Sequence, residues 1–151
     1  MFPQKTFLRI LVGLDGSESS FEAADYAVSL AKHYGSEVIA IHIVSSKSVV
    51  GHSSGMFGVV TPAFLKMERE ECEKWFSVIK KNTDQLGISL KTKIISTGES
   101  PIKAIVEFAH HEEVDLIVVG TRGRSGIKKM LMGSTASGIV SYANCPVFIA
   151  K

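Results

Sequence analysis

The chain has 151 residues, of which 45% are hydrophobic and 21% charged, and its 17 basic and 15 acidic residues give a net charge of +2. This length suits one domain with a buried core, so a single domain over 1–151 is predicted. The small net charge argues against a general nucleic-acid binder, which carries a strong basic excess. No apolar run approaches the roughly 18 residues of a membrane helix, and no signal-peptide cleavage site is found, so a cytoplasmic protein is expected.

Short segments rich in Val, Ile and Leu alternate with helical patterns along the chain. The predicted strands are 7–15, 37–45, 89–97, 114–121 and 145–151, and the predicted helices are 17–34, 62–86, 100–112 and 134–143. Four of the strands are nearly continuous apolar runs, as in parallel strands that are covered on both faces. The third strand alternates, with Lys91 and Lys93 on one face, which favours a sheet edge. The order predicts an α/β fold, a Rossmann-like open five-stranded parallel sheet with helices on both faces.

Two segments and three single residues have structural interpretations. The Ser- and Gly-rich stretch 45–60 fits no element and is predicted to be a loop, and His42, in an apolar strand, is predicted to be a hydrogen-bonded core histidine. The charged run KMEREECEKWFSVIKK (66–81) is predicted to be a solvated helical face. Cys72 and Cys145 form no C-x-x-C pair, so both are expected to be buried or half-buried free thiols.

Two strand ends carry unusual chemistry. In open α/β sheets, ligands bind at the carboxyl ends of strands, where the strand order reverses. The first strand ends in GLDGSESS, with Asp15 at its tip, and the fourth continues into GTRGRSGIKKMLMGST (120–135). Asp15 has a second interpretation, as the acceptor that caps the first helix, and the two roles are compatible.

The 120–135 loop combines glycines, cations and hydroxyl groups. Its glycines allow backbone N–H groups to converge on an anion, and Ser134 and Thr135 lie at the predicted start of the last helix, where the dipole is positive. These features suit a polyphosphate, and a solvated loop with a serine N-cap is the alternative. Neither G-x-x-x-x-G-K-[ST] nor a G-x-G-x-x-G after the first strand occurs. The four cations of the loop are Arg122, Arg124, Lys128 and Lys129.

The spacing G-x2-G-x9-G-S, at Gly120, Gly123, Gly133 and Ser134, resembles the nucleotide-binding motif of the universal stress proteins, in the subgroup that binds ATP. The segment from VDLIVVGT to NCPVFIAK is similar to the C-terminal half of that family, and ILVGLDGSESS and EVIAIHIV are similar to its first two strands. The resemblance covers essentially the whole chain and is weakest at 46–65. It implies the adenine nucleotide alpha hydrolase-like version of the fold.

The resemblance also implies a role for each site residue. Those bordering the adenosine would be Asp15, the backbone of Gly13 and Leu14, and, in the adenine pocket, Ile43. Those approaching the ribose would be Val119 and Gly120. Those holding the phosphates would be Gly123, Gly133, Ser134 and Thr135, with Arg122 and Arg124 as neighbours. Mg²⁺ or Mn²⁺ would be carried through the phosphates, because the sequence offers no Asp/Glu/His cage.

The last strand, CPVFIAK, is apolar and outermost in such a fold, so its edge favours pairing with another chain. The resemblance implies a homodimer in which last strands pair antiparallel between Pro146 and Ala150, with Phe148 at the interface. No nucleic acid or membrane is expected as a partner.

The predicted function is that of an ATP-binding universal stress protein, a nucleotide-responsive regulator with an unidentified protein partner. ATP pyrophosphatases of related fold carry S-G-G-x-D-S after the first strand, whereas GLDGSES stands here. No positioned general base is found, so the chain is predicted not to be an enzyme, and no catalytic or metal-ligating residue is assigned. AMP or cyclic AMP as the ligand, and slow ATP hydrolysis or autophosphorylation, stay open alternatives.

Overall fold

The computed structural model of the chain describes residues 4–46, 61–121 and 132–151. Within these ranges, strands and helices alternate as predicted, and their bounds agree with the sequence patterns to within a few residues. In chain order they are β1 (Arg9–Gly13), α1 (Glu18–Tyr34), β2 (Glu37–Ser45), α2 (Pro62–Leu86), β3 (Leu90–Thr97), α3 (Pro101–His111), β4 (Leu116–Gly120), α4 (Ser134–Tyr142) and β5 (Val147–Ala150).

The strands form one parallel sheet in the order β3-β2-β1-β4-β5, which confirms the predicted α/β fold. The chain builds outward from β1 through β2 to β3, then returns to place β4 on the other side of β1. The strand order therefore reverses between β1 and β4. The edge position predicted for the third strand and the outermost position predicted for the last are both confirmed.

Alternate residues of the strands face two separate hydrophobic cores. Ile10 and Val12 of β1 face the core that α1 and α2 cover, and Leu11 faces the core that α3 and α4 cover. Because both faces are covered, the inner strands are apolar at nearly every position. Whether a residue is at an even or an odd position along its strand therefore determines which pair of helices its side chain faces.

The helix ends follow local signals. Ser17 is the N-cap of α1, where its side chain accepts a hydrogen bond from the Ser20 N–H, and Ser100 caps α3 in the same way through the Lys103 N–H. Pro101 occupies the first turn of α3, a position that needs no N–H donor and where proline is favoured. Among the described residues, no helix has both the length and the apolar composition needed to cross a membrane.

The charged run 66–81 lies on α2 and is only partly solvated. Lys74 pairs with Glu71 on the exposed face, as expected for this run. Glu68, however, is only 9% exposed, so its predicted place on the solvated face is wrong. Its carboxylate is turned inward toward His42 of β2, a contact that stabilises its burial.

Candidate functional site

The carboxyl ends of β1 and β4 meet at the point of strand reversal. Gly13 is two residues after Leu11 and so faces the α3–α4 side of the sheet, the same side as Val119 of β4 and Ile43 of β2. A Cβ atom at Gly13 would meet no heavy atom of the described residues within 4 Å. Within the described part of the chain, a recess therefore lies over Gly13, beside the side chains of Ile43 and Val119, which the family resemblance assigned to the same site.

Both ends of the glycine-rich loop are held at this edge. The Gly133 N–H donates to the Thr121 carbonyl at 2.8 Å, and the Thr121 N–H donates to the Ala150 carbonyl of β5 at 3.2 Å. Gly133 is the N-cap of α4 and, as a glycine, makes no side-chain capping bond. The exposed residues Ser134 and Thr135 form its first turn, so the positive end of α4 lies next to the end of β4.

Three predicted phosphate contacts, Arg122, Gly123 and Arg124, lie outside the described residues, as does most of the 46–60 segment. Their roles stay predictions. The structure brings together the others that bear on the site: Gly13, Leu14, Asp15, Ile43, Val119, Gly120, Gly133, Ser134 and Thr135 all lie at the carboxyl edge of the sheet or just beyond it.

Leu14 takes part in this edge through its backbone only. Its side chain is 3% exposed and packs into the α1–α2 core, away from the recess. Its N–H donates to the Ile41 carbonyl at 2.8 Å, and its carbonyl accepts from the His42 ring at 2.7 Å. Both backbone polar groups of Leu14 therefore have partners inside the protein, and they fix the direction in which the chain leaves β1.

Asp15 lies in the turn between β1 and α1. Its Oδ1 accepts a hydrogen bond from the Ser17 N–H at 2.9 Å, which closes an Asx-type turn. Because Ser17 provides the N-cap of α1, the prediction that Asp15 caps this helix is wrong. The half-buried carboxylate instead shapes the turn at the candidate site.

Gly120 ends β4 against the start of α1. A Cβ atom at Gly120 would collide with the hydroxyl and the backbone carbonyl of Ser19. Glycine is therefore required here by packing, in addition to any contact with a ligand. No sequence pattern indicates this requirement, because Ser19 lies in a different part of the chain.

His42 is buried at 4% exposure and has two hydrogen-bond partners, so the predicted core histidine is confirmed. One partner is the Leu14 carbonyl, and the other is the Glu68 carboxylate at 3.0 Å from Nε2. The pair lies on the α1–α2 side of the sheet, behind the turn that carries Asp15. A pattern search could not find it, because Glu68 lies within a charged run on another element.

No group of three or more His, Cys, Asp or Glu residues that could hold a metal ion occurs within the described ranges. Cys72 and Cys145 are free thiols, buried and half-buried, as predicted. Cys145 lies at the opposite end of the sheet from the recess and lines a separate open cleft of about 530 Å³ beside Ala109 and Val114. None of the predicted site residues lines that cleft.

Comparison with known proteins assigns this chain to a family. The model of the universal stress protein family matches residues 6–151. The chain belongs to this family. Universal stress protein YxiE of Bacillus subtilis is 34% identical over 151 residues, which covers 96% of this chain and 99% of that protein. Universal stress protein MJ0531 of Methanocaldococcus jannaschii is 32% identical, with 98% of this chain and 84% of that protein covered.

Solved structures of this family share the fold. Superposition on hypothetical protein MJ0577 of Methanocaldococcus jannaschii gives a TM-score of 0.81 at 25% identity, covering 97% of each chain. Universal stress protein UspA from Lactobacillus plantarum gives a TM-score of 0.76 at 24% identity, covering 98% of this chain and 100% of that one. The α/β architecture described above is therefore that of a universal stress protein.

Proposed function

We propose that this universal stress protein is a regulatory protein that binds ATP at the carboxyl ends of β1 and β4. One observation carries the proposal. Thr121 and Gly133, at the two ends of the glycine-rich loop, are hydrogen-bonded to each other, so that the start of α4, to which Gly133 gives no capping side chain, lies beside the end of β4. Uncapped N–H groups at a positive helix end favour an anion such as phosphate.

The recess over Gly13 suits the adenosine. An adenine ring needs apolar walls, and Ile43 and Val119 supply them on the same face of the sheet. Ribose hydroxyls need acceptors, and the Asp15 carboxylate stands at the tip of β1. The Leu14 N–H is already bonded, so Leu14 contributes backbone surface and no free donor.

The glycine-rich loop and α4 suit the phosphates. Gly133 is the N-cap of α4, and Ser134 and Thr135 are exposed in its first turn. The proposed loop contacts are the backbone of Gly123 and the guanidinium groups of Arg122 and Arg124. Mg²⁺ or Mn²⁺ would bridge the phosphates, which supply the oxygen ligands that these ions prefer.

AMP or cyclic AMP is a second candidate ligand. Two structures of the same fold, each 23% identical to this chain, were solved with such ligands, one universal stress protein with cAMP and one from Archaeoglobus fulgidus with dAMP. These ligands were bound by those two proteins. They favour an adenine nucleotide with one phosphate as the alternative to be tested against ATP.

Calorimetric titration of the nucleotide-free protein with ATP, ADP, AMP and cyclic AMP, with and without Mg²⁺, tests the proposal. If the loop holds a polyphosphate, ATP binds most tightly and affinity falls as phosphates are removed. Equal or tighter binding of AMP or cyclic AMP would support the second candidate. An absence of heat with all four nucleotides would refute the nucleotide site.

Glycine variants locate the site within the chain. Gly123→Val and Gly133→Val should lower ATP affinity at least about tenfold, because the added side chain would hold the phosphates away from the neighbouring backbone N–H groups, and losing one hydrogen bond to a charged group costs about 1.5–3 kcal/mol. Gly98→Val is the matched control, because its Cβ would meet no heavy atom within 4 Å in the described part of the chain and the residue is not part of the proposed site. Circular dichroism should show the native fold in all three variants. Unchanged ATP binding in both loop variants would contradict the assignment.

A further inference from the structure

We propose that His42 is a positioning residue of the nucleotide site and that, with Glu68, it couples the β1–α1 turn to helix α2. The inference rests on the proposed nucleotide site for its functional consequence. The turn in question is formed by residues 13–16 and carries Asp15. It is called the 13–16 turn below.

Two hydrogen bonds join His42 to the 13–16 turn and to α2. Its Nδ1 lies 2.7 Å from the carbonyl oxygen of Leu14, inside the turn, and its Nε2 lies 3.0 Å from Oε2 of Glu68 on α2. The side chains are 5% and 11% exposed, so water competes weakly for either contact. The imidazole ring therefore forms a bridge from α2 to the backbone of the turn.

The geometry of the bridge fixes its protons. A carbonyl oxygen only accepts, so His42 Nδ1 carries a hydrogen and donates it to Leu14. A neutral ring of this tautomer has a bare Nε2, and an ionised carboxylate has no proton to offer it. The 3.0 Å contact therefore needs one more proton, held on Nε2 or on the Glu68 carboxyl group.

Trp75 supports the same turn from a second point on α2. Its ring meets the His42 ring edge-on, with centroids 5.1 Å apart and planes at 87°. It also covers Gly16, whose φ of +81° is in the left-handed region and where a Cβ atom would collide with the indole. Glycine is required here both by conformation and by this contact.

These contacts couple α2 to the nucleotide edge. Leu14 and Gly16 flank Asp15. Helix α2 is linked to Leu14 through His42, and it contacts Gly16 through Trp75. A displacement of α2 would move the carboxylate that borders the adenosine. By thermodynamic reciprocity, a nucleotide that orders the 13–16 turn would bias the position of α2.

Glu68 offers a matched pair of variants. In Glu68→Gln the side-chain amide donates to a bare Nε2, so the bridge persists with a neutral His42 ring. In Glu68→Leu the volume is similar but the bridge is lost. We expect Glu68→Leu to bind ATP about tenfold more weakly, a cost typical of one lost buried hydrogen bond, and Glu68→Gln to recover most of the affinity. A merely structural role would lower the melting temperature of Glu68→Leu and leave the ATP affinity of its folded form unchanged.

Trp75 is the single tryptophan of the chain, so its fluorescence reports on this contact alone. ATP should change the Trp75 emission of the parent protein and of Glu68→Gln, and should change it less in Glu68→Leu. If calorimetry shows ATP binding and the emission of the parent stays constant, the coupling is refuted while the nucleotide site stands. NMR of the parent protein adds a measurement that needs no variant: His42 should show a proton on Nδ1, and its ring signals should shift when ATP binds.

Amide hydrogen exchange without nucleotide separates the two proposals. The Ser17 N–H, bonded to Asp15, should exchange about tenfold faster in Glu68→Leu than in the parent and Glu68→Gln. The Lys103 N–H, which donates to the N-cap side chain of Ser100 far from the His42–Glu68 bridge, should not change. Unchanged exchange at Ser17 would refute the positioning role. If Ser17 exchanges faster in Glu68→Leu but calorimetry shows no ATP binding to the parent, the nucleotide site is refuted. His42 then stands as the residue that shapes the turn.

Discussion

At the scale of single residues, Gly13 and Gly120 end neighbouring strands but have different surroundings. A Cβ atom at Gly13 would project into the recess, whereas one at Gly120 would collide with the backbone of Ser19. Gly120→Ala should therefore lower the free energy of unfolding by about 1–3 kcal/mol, as overpacking does. Gly13→Ala should unfold like the parent and bind ATP more weakly.

Urea denaturation and calorimetry of both variants measure these effects. Gly13→Ala acts as the stability control for Gly120→Ala, since the same methyl group is added to the end of a β-strand in each. A Gly120→Ala protein as stable as the parent would contradict the close approach of β4 to α1. A Gly13→Ala protein with parental ATP affinity would remove the recess from the nucleotide site.

Burial raises the pKa of the Cys145 thiol, and the Asp115 carboxylate raises it further. Iodoacetamide should therefore alkylate Cys145 more slowly than free cysteine at neutral pH, with a rate that rises only at more alkaline pH. Cys72 is fully buried and should not react in the folded protein. Mass spectrometry follows both thiols, and Cys145→Ala should abolish labelling under native conditions.

The same shift has a consequence for stability. A thiol whose pKa is higher in the folded state contributes stability that is fully present below the unfolded pKa of about 8.5. This contribution is lost as the pH rises through the folded pKa. Stability measured across alkaline pH should fall less steeply in Cys145→Ala than in the parent. An identical slope would show that the thiol titrates as it does in the unfolded chain.

At the scale of elements, α1 and α3 begin with the same capping bond at different distances from the site. Ser17→Ala and Ser100→Ala should each lower stability by about 1 kcal/mol, because each leaves the first turn without its side-chain acceptor. Thermal unfolding of the two variants tests this. A loss of stability in Asp15→Ala that exceeds the loss in Ser17→Ala would return the capping role to Asp15.

The elements were predictable because their signals are local. Ser100 and Pro101 mark the start of α3, and Gly35 ends α1 with a left-handed φ of 71°. Contacts between distant residues were not predictable in this way. Glu68 looks solvated within its charged run, and only the packing of α2 on β2 brings it to His42. The steric need for glycine at 120 arises from the packing of β4 against α1, which no run of neighbouring residues encodes.

The candidate site was predictable only in part, and for the same reason. The strand ends and the family resemblance indicated that Gly13, Gly133 and Ser134 would meet, and the topology brings these elements together. The backbone direction of Leu14 depends on bonds to Ile41 and His42, which lie on another strand. The sequence allowed specific side chains to be assigned to the carboxyl edge of the sheet. It did not allow the hydrogen bonds that shape this edge to be predicted.

At the scale of the whole molecule, β5 is an edge strand that pairs with β4. The carbonyls of Pro146 and Ala150 accept from β4, so the backbone groups of the alternate residues Val147 and Ile149 face the free edge. An antiparallel homodimer through this edge, the arrangement implied by the family resemblance, would use these groups. Phe148 already contacts Tyr26 of its own α1, with ring centroids 5.2 Å apart.

Ile149→Pro should dissociate such a dimer, because proline removes one outward N–H and is tolerated at a strand edge. Ile149→Ala is the matched control, since it shortens the side chain but keeps the N–H. Sedimentation equilibrium should show a monomer for the proline variant and a dimer for the parent and the alanine variant. A monomeric parent, or a proline variant that stays dimeric, would refute pairing through β5.

The central position of β1 sets the order in which the protein can mature. Leu11 pairs with Ile39 of β2, which is close in the sequence, and with Ile117 of β4, which is far along the chain. A folding chain in which only the first pairing has formed would have one wall of the proposed site and lack the other. Nucleotide would therefore bind only after the slow long-range pairing is complete. It should slow the unfolding of the finished protein and leave the rate of folding unchanged.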